Sequence, residues 1–214
     1  EQPEIIIQIV GDGTFTKKEG LFQLTQFLPY LDNKTIRNTT KQYKGLDFTD
    51  YNIPLFKYSG EIETSIKGAS SFFDYEFLTN HRYKGYASND FEWDNKFDSF
   101  KKDNPEGKKM ITSKAMKDLF DLYINEENQK GTQIFIVFPP TYEELDKYII
   151  NRDEIISYYR TISDKYSVIF LDYSNSEFSK RKELFYNANH LNTKGAELFS
   201  KRLALDLNER IHNN

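Results

Sequence analysis

Three short apolar runs stand out from an otherwise polar chain. They are Glu4–Val10 (EIIIQIV), Gln133–Phe138 (QIFIVF) and Tyr166–Leu171 (YSVIFL). Each is rich in β-branched or aromatic residues, and each is closed by turn formers: Gly11-Asp12-Gly13, Pro139-Pro140 and Asp172. Continuous runs of this length predict strands buried on both faces. Elsewhere the period becomes helical. Met116, Leu119, Phe120, Tyr123 and Ile124 keep helical spacing over Ser113–Glu127, with Ser113 as a cap and Gly131 as a stop. Thr141 with Glu144 is a capping-box pattern, and Asn151 with Glu154 marks a second start, which predicts two helices broken near Asn151. Ala196, Phe199, Leu203, Leu207 and Ile211 make the stripe of a final helix that begins at Thr193. Strands alternating with helices predict an α/β fold with a parallel sheet and right-handed crossovers.

The stretch from Thr14 to Pro105 breaks this pattern. It is rich in Tyr, Phe, Asn, Asp and Lys, with only short apolar pieces such as Leu55-Phe56 and Phe72-Phe73. It reads as an insertion of short helices and ordered loops, longer than an ordinary connection. Insertions of this kind build lids or substrate surfaces, or serve packing alone. There is no internal repeat and no low-complexity tract.

Composition narrows the field. A chain of 214 residues suffices for one good core and falls short of two comfortable domains. The 18 Phe and 15 Tyr carry much of the apolar payload. A net charge of −4 argues against nucleic-acid binding driven by phosphate neutralisation. The absence of cysteine excludes disulfides and thiolate metal sites, and neither a metal nor a cofactor is expected. No apolar run approaches the ~18 residues of a membrane span, and no signal-peptide pattern is visible. The chain starts at Glu1 rather than Met, which predicts a removed upstream segment.

The strongest candidate for chemistry is His190, in the block Phe185-Tyr186-Asn187-Ala188-Asn189-His190-Leu191-Asn192. It lies past the third strand and just before the final helix, where open α/β sheets place ligands. A histidine there serves as a general base near neutral pH; a surface or capping histidine is the structural alternative. Asn187 stands where an acid would orient the imidazole. An amide holds the ring by hydrogen bonding and lends it no charge; a turn-forming asparagine is the alternative. Asp172 is the nearest carboxylate in sequence, and a cap or turn role is favoured for it. Gly11 and Gly13 could turn backbone N–H groups toward an anion. However, the loop lacks the third glycine of a dinucleotide fingerprint, so a plain turn is favoured. His81 and His212 read as surface residues, Trp93 as a core anchor of the insertion, and Ser174 and Ser176 as turn residues. The Lys and Arg clusters lie among acids and read as solvated faces.

The block from Phe185 to Ser200 resembles the last block of SGNH (GDSL-type) hydrolases, whose pattern is Asp-x-x-His before the C-terminal helix. Pro3–Val10 and Gly20–Tyr30 resemble a group of bacterial SGNH-like proteins, commonly membrane-anchored and distantly similar to the lipoteichoic-acid D-alanylation protein. The resemblance covers most of the chain. It implies a three-layer SGNH/flavodoxin-like parallel sheet, here truncated at its N-terminus, forming a single domain over residues 1–214 with an insertion at about 14–105. It also implies ester hydrolysis or acyl transfer on an acyl ester or cell-envelope glycan, and an extracytoplasmic or membrane-anchored full-length protein. The family's nucleophilic serine has no counterpart here. Gly13 stands in place of an amide donor, and Asn187 in place of the triad acid; only His190 carries over.

The expectation is therefore an esterase or acyltransferase domain that is inactive as this chain. The rival is a binding or scaffold domain that keeps the fold without the triad; an unrelated flavodoxin-like binding domain is a third reading. Glu4–Val10 becomes an edge strand in this scheme. Its run Ile5-Ile6-Ile7 carries no guarding charge or proline, apart from Pro3 at the start of the strand, which predicts that a second copy of the chain or the insertion covers this edge.

Overall fold

A computed structural model of the chain describes residues 2–16, 20–21, 23–53, 55–59 and 91–212. The chain forms two compact units, Glu1–Lys17 with Ser88–Asn214, and Lys18–Ala87. The second unit lies inside the stretch read as an insertion, whereas 14–17 and 91–105 belong to the first.

The first unit is built on a parallel sheet of β1 (Ile5–Ile9), β2 (Gln133–Phe138) and β3 (Ile169–Asp172), in the order β1-β2-β3. Ile5 pairs with Gln133 and Ile9 with Val137, while Phe135 pairs with Ile169 and Phe138 with Asp172. The central strand explains the uninterrupted apolar run of its sequence, because both of its faces are covered. Ile134, Ile136 and Phe138 pack with Phe120 and Ile124 of one helix and with Ile155, Tyr159 and Ile162 of another. Phe135 and Val137 pack with Phe199, Leu203, Leu207 and Ile211 of the final helix. Each such buried side chain contributes roughly 1.5–3 kcal/mol of transfer free energy.

In the first unit the helices are α3 (Lys96–Asp103), α4 (Lys114–Gln129), α5 (Glu143–Asp146), α6 (Arg152–Tyr166) and α7 (Thr193–His212). They follow α1 (Lys34–Thr40) and α2 (Phe48–Asn52) of the second unit. The stop expected for α4 is present, with Gly131 at φ +81°. Of its predicted stripe, Leu119 instead faces outward at 57% exposure. The break near Asn151 is also present, between Asp146 and Arg152.

Four local expectations are corrected. The third strand starts at Ile169 rather than Tyr166, because α6 runs through Tyr166 and closes on Ser167 in the left-handed region at φ 54°. Ser163 Oγ then donates to the Val168 carbonyl, 2.6 Å away, and fixes that exit. Thr141 does not cap a helix; its hydroxyl accepts from Arg152 Nη1 at 3.0 Å, and Tyr142 holds the cap position of α5. Asn151 sits at the cap of α6, but its amide clamps Met110 on both sides, accepting from Met110 N–H at 2.8 Å and donating to Met110 C=O at 3.1 Å. The first strand is buried on one face only. Ile6 and Val10 join the core under α4 and α6, while Ile5, Ile7 and Ile9 are 40%, 45% and 50% exposed. The α7 cluster takes residues of β2 and β3 and none of β1.

The second unit, taken by itself, consists of short elements. It contains α1 (Lys34–Thr40), α2 (Phe48–Asn52) and 3-10 turns at Leu24–Tyr30 and Phe56–Tyr58. Asn33 caps α1, and Asp47 with Asp50 forms a capping box on α2. Its small core joins Leu28, Leu31 and Tyr51, with the Tyr51 hydroxyl 3.0 Å from Thr40 Oγ1. Phe72, Phe73 and His81 lie outside the described residues.

Candidate functional site

The block that carries His190 folds as a hairpin. Its strands, β4 (Phe185–Asn187) and β5 (His190–Leu191), are antiparallel, with Asn187 opposite His190 across the turn Ala188-Asn189. Apolar residues seat the hairpin: Leu184, Phe185 and Ala188 are buried beside Tyr142 and Leu145. Tyr142 N–H donates to the Ala188 carbonyl at 2.9 Å. That bond sets the hairpin beside the segment leaving the carboxyl end of β2, where an α/β sheet carries its chemistry. From the other side Asn192 pins the start of α7. Its N–H and its amide donate to the carbonyls of Leu184 and Glu183, each at 2.9 Å, and its Oδ1 accepts from Gly195 N–H at 3.0 Å.

Within this frame the His190 tautomer is determined. Asn187 Oδ1 lies 3.0 Å from Asn189 N, a backbone donor, so this atom is the accepting oxygen. The same oxygen is 2.9 Å from His190 Nδ1, which must therefore carry the proton. Nε2 is left with its lone pair and has no hydrogen-bond partner among the described residues. Tyr186 stacks on the imidazole with ring centroids 5.5 Å apart and planes 17° apart, and Phe91 meets the edge of Tyr186 at 6.1 Å. The ring thus has one covered face and one exposed side. Desolvation lowers the His190 pKa below its ordinary 6.5, outweighing the opposite pull of the Asp94 carboxylate.

An NMR titration is expected to place the His190 midpoint below 6.5, so that the ring is neutral at pH 7. Because the unfolded chain binds this proton first, the folded state loses stability as pH falls from 6.5 through the folded midpoint, and regains it above 6.5. Asn187→Asp replaces the amide by a carboxylate, stabilises the imidazolium and raises the midpoint. A wild-type midpoint above 6.5, or one unmoved by Asn187→Asp, would contradict this geometry.

The other predicted site residues are placed elsewhere. Asp172 does not reach His190. Its carboxylate accepts from Ser174 N–H at 3.0 Å and Ser174 Oγ at 2.7 Å, and from Arg160 Nη2 at 3.1 Å. Gly11 N–H is held by Thr14 Oγ1 at 2.9 Å, and its carbonyl accepts from the Tyr159 hydroxyl at 2.9 Å. The Gly13 carbonyl accepts from Thr16 at 3.1 Å (N) and 2.7 Å (Oγ1). The Gly11 N–H is thus taken up within the turn itself, by Thr14. Ser113 stands at the start of α4 without a side-chain cap bond. Trp93 packs edge-on against Phe97 and Tyr142, with Lys182 Nζ 4.4 Å from its ring centroid. His212 is exposed at the end of α7.

Two groups of residues escape a reading of the sequence. One is Tyr186, whose stack on His190 needs the hairpin to exist; its adjacency to Asn187 is the only hint. The other is a buried ion cluster below the loop. Arg152 Nε donates to Asp12 Oδ1 at 2.9 Å, Nη2 meets Asp12 Oδ2, and the guanidinium also contacts Asp146 and Thr141. Arg152 is 5% exposed and Asp12 9%. A lone arginine between Asn151 and an acidic pair gives no sign of burial.

Among the described residues no group of three or more His, Asp or Glu could hold a metal ion, and no helix is long and apolar enough to cross a membrane. Comparison with protein-family models, curated proteins and solved structures gives no match to this chain.

Proposed function

We propose that the chain carries the histidine end of an SGNH-like ester hydrolase or acyltransferase acting on an acyl ester or a cell-envelope glycan, and that it is inactive by itself. The observation that supports this most is the His190 tautomer, with Nδ1–H held by Asn187 and the Nε2 lone pair unpartnered among the described residues. The parallel order β1-β2-β3, with helices on both faces of β2, fits a three-layer SGNH/flavodoxin-like sheet. In such a site a hydroxyl oxygen attacks the ester carbonyl and Nε2 takes its proton. Backbone N–H groups hold the oxyanion, and the same proton returns to the departing alkoxide. Asn187 orients the ring but lends the imidazolium no charge; in a Ser-His-Asp protease an amide in this place costs about 10⁴ in kcat because it sets the wrong tautomer, whereas Asn187 here accepts from Nδ1–H.

The second reading is a non-catalytic binding or scaffold domain that keeps the fold. It is favoured by two serines that follow β3 and are committed elsewhere, Ser174 Oγ to Asp172 and Ser179 Oγ to the Ser174 carbonyl at 2.8 Å, whereas the buried Ser176 hydroxyl has no hydrogen-bond partner among the described residues. Hydrolysis of p-nitrophenyl acetate tests both readings. The chain is expected to turn over near the buffer rate, with little change on His190→Ala. Adding an upstream segment that bears a serine should raise the rate in a His190-dependent way. No gain from any such extension would leave the scaffold reading. Robust turnover by the chain alone, lost on His190→Ala, would reveal a nucleophile elsewhere and refute its inactivity.

A further inference from the structure

The outer edge of β1, which no strand pairs among the described residues, is the strongest unassigned surface of the first unit, and its geometry is specific. Two bonds to β2 define which backbone groups face inward: Val10 N–H donates to Val137 C=O, and Gln133 N–H donates to Glu4 C=O, each at 2.9 Å. Both involve even-numbered residues of this strand. The alternation of a strand extends this to Ile6 and Gln8, and turns the N–H and C=O of Ile5, Ile7 and Ile9 outward. Among the described residues only Ile9 C=O has a partner there, the Gln8 amide at 2.9 Å. The same three isoleucines leave their side chains 40–50% exposed on the α7 face of the sheet, outside the cluster that α7 forms with β2 and β3. The edge carries none of the usual guards, since Ile5–Ile9 contains no charge, no proline and no bulge.

We infer that this edge is completed by a second copy of the chain, paired antiparallel about a two-fold axis at Ile7. The strand matches itself in that register and in no parallel one. Ile7 faces its own copy and Ile5 faces Ile9, so every outward N–H and C=O meets a partner in reciprocal pairs. All the facing side chains on the exposed face are then isoleucine. Ile6 faces Gln8 on the other face, and Glu4 faces Val10. The two Glu4 carboxylates lie at opposite ends of the interface, so the pairing sets no like charges face to face. The Gln8 amide is no obstacle, because a carbonyl oxygen has two lone pairs. A two-fold contact also closes on itself and ends growth at the dimer.

Sedimentation and light scattering on the full chain test the inference, with Ile7→Lys as the probe. The wild type is expected at twice the mass of one chain at high micromolar concentration, dissociating on dilution. Ile7→Lys places like charges face to face at the axis and is expected to halve the mass, with unchanged circular dichroism. Hydrogen exchange on the wild type provides a second readout that needs no variant. The amides of Ile5, Ile7 and Ile9 should gain protection with concentration, while those of Ile6, Gln8 and Val10 stay protected throughout. A wild type that is monomeric at every concentration overturns the inference. So does a dimer that survives Ile7→Lys, or one in which the odd-numbered amides remain unprotected, because either places the interface elsewhere.

Discussion

Arg152→Met is expected to destabilise the first unit by about 3–5 kcal/mol, the cost of removing one partner of a buried ion pair. Arg152 neutralises Asp12 through two hydrogen bonds, touches Asp146 and satisfies Thr141. Methionine fills much of the volume but leaves the Asp12 carboxylate dehydrated at 9% exposure. The loss is a large share of the roughly 5–15 kcal/mol that holds a domain together. The pair also ties the loop after β1 to the start of α6, so its removal leaves the Tyr159–Gly11 hydrogen bond to hold Gly11–Thr14 on that helix. The double variant Asp12→Leu/Arg152→Met removes both charges and is expected to recover most of the loss, since an apolar pair of similar volume is often neutral or better. Denaturant titration of the three proteins decides the matter. A single variant within about 1 kcal/mol of wild type would mean that water reaches Asp12 and that the cluster is not buried in solution.

Gly195→Ala is expected to destabilise by about 2–3 kcal/mol, in the range of overpacked sites, although alanine is favoured over glycine inside a helix by about 1 kcal/mol. The sign is set by tertiary contact. A Cβ on Gly195 would lie 2.1 Å from the Leu184 carbonyl oxygen and 3.0 Å from both the Leu184 carbonyl carbon and Leu191 Cδ2. The first two are backbone atoms, so no side-chain rotation relieves the contact. Either α7 or the hairpin must move, and Asn192 binds the two together through Leu184 and Gly195. The displacement should therefore reach His190, two residues before Asn192. Along with the lower denaturation midpoint, the His190 Nδ1–H signal in NMR is expected to weaken as the Asn187 bond loosens. A variant more stable than wild type would mean that α7 stands further from Leu184 than the geometry here.

The parts of this structure that the sequence made legible are those decided within a few residues. The run at Gln133–Phe138 is continuous because β2 is central, and its bounds are those expected. The helical stripe from Thr193 onward packs on the sheet through Phe199, Leu203, Leu207 and Ile211. The Asn187–His190 bond spans three residues across one turn, so the pattern Asn-x-x-His already carried it. Gly131 stops α4 because a positive φ is cheap only for glycine.

What escaped the sequence depends on partners far along the chain. Thr141 and Asn151 match capping patterns, yet an arginine eleven residues on and a methionine 41 residues back take their side chains. Asp12 and Arg152 are 140 residues apart, and neither position signals a buried charge. Burial of Ile5, Ile7 and Ile9 was expected from composition, but composition cannot tell an edge from a centre. Periodicity by itself determined where the strands and helices lie and that the sheet is parallel, because backbone propensity and apolar spacing act locally. The resemblance already made β1 an edge, as it is; only the tertiary structure decided that β2 rather than β3 is central, which face of β1 α7 leaves uncovered, and which polar side chains abandon their local turns. These depend on contacts between segments that sequence spacing does not encode.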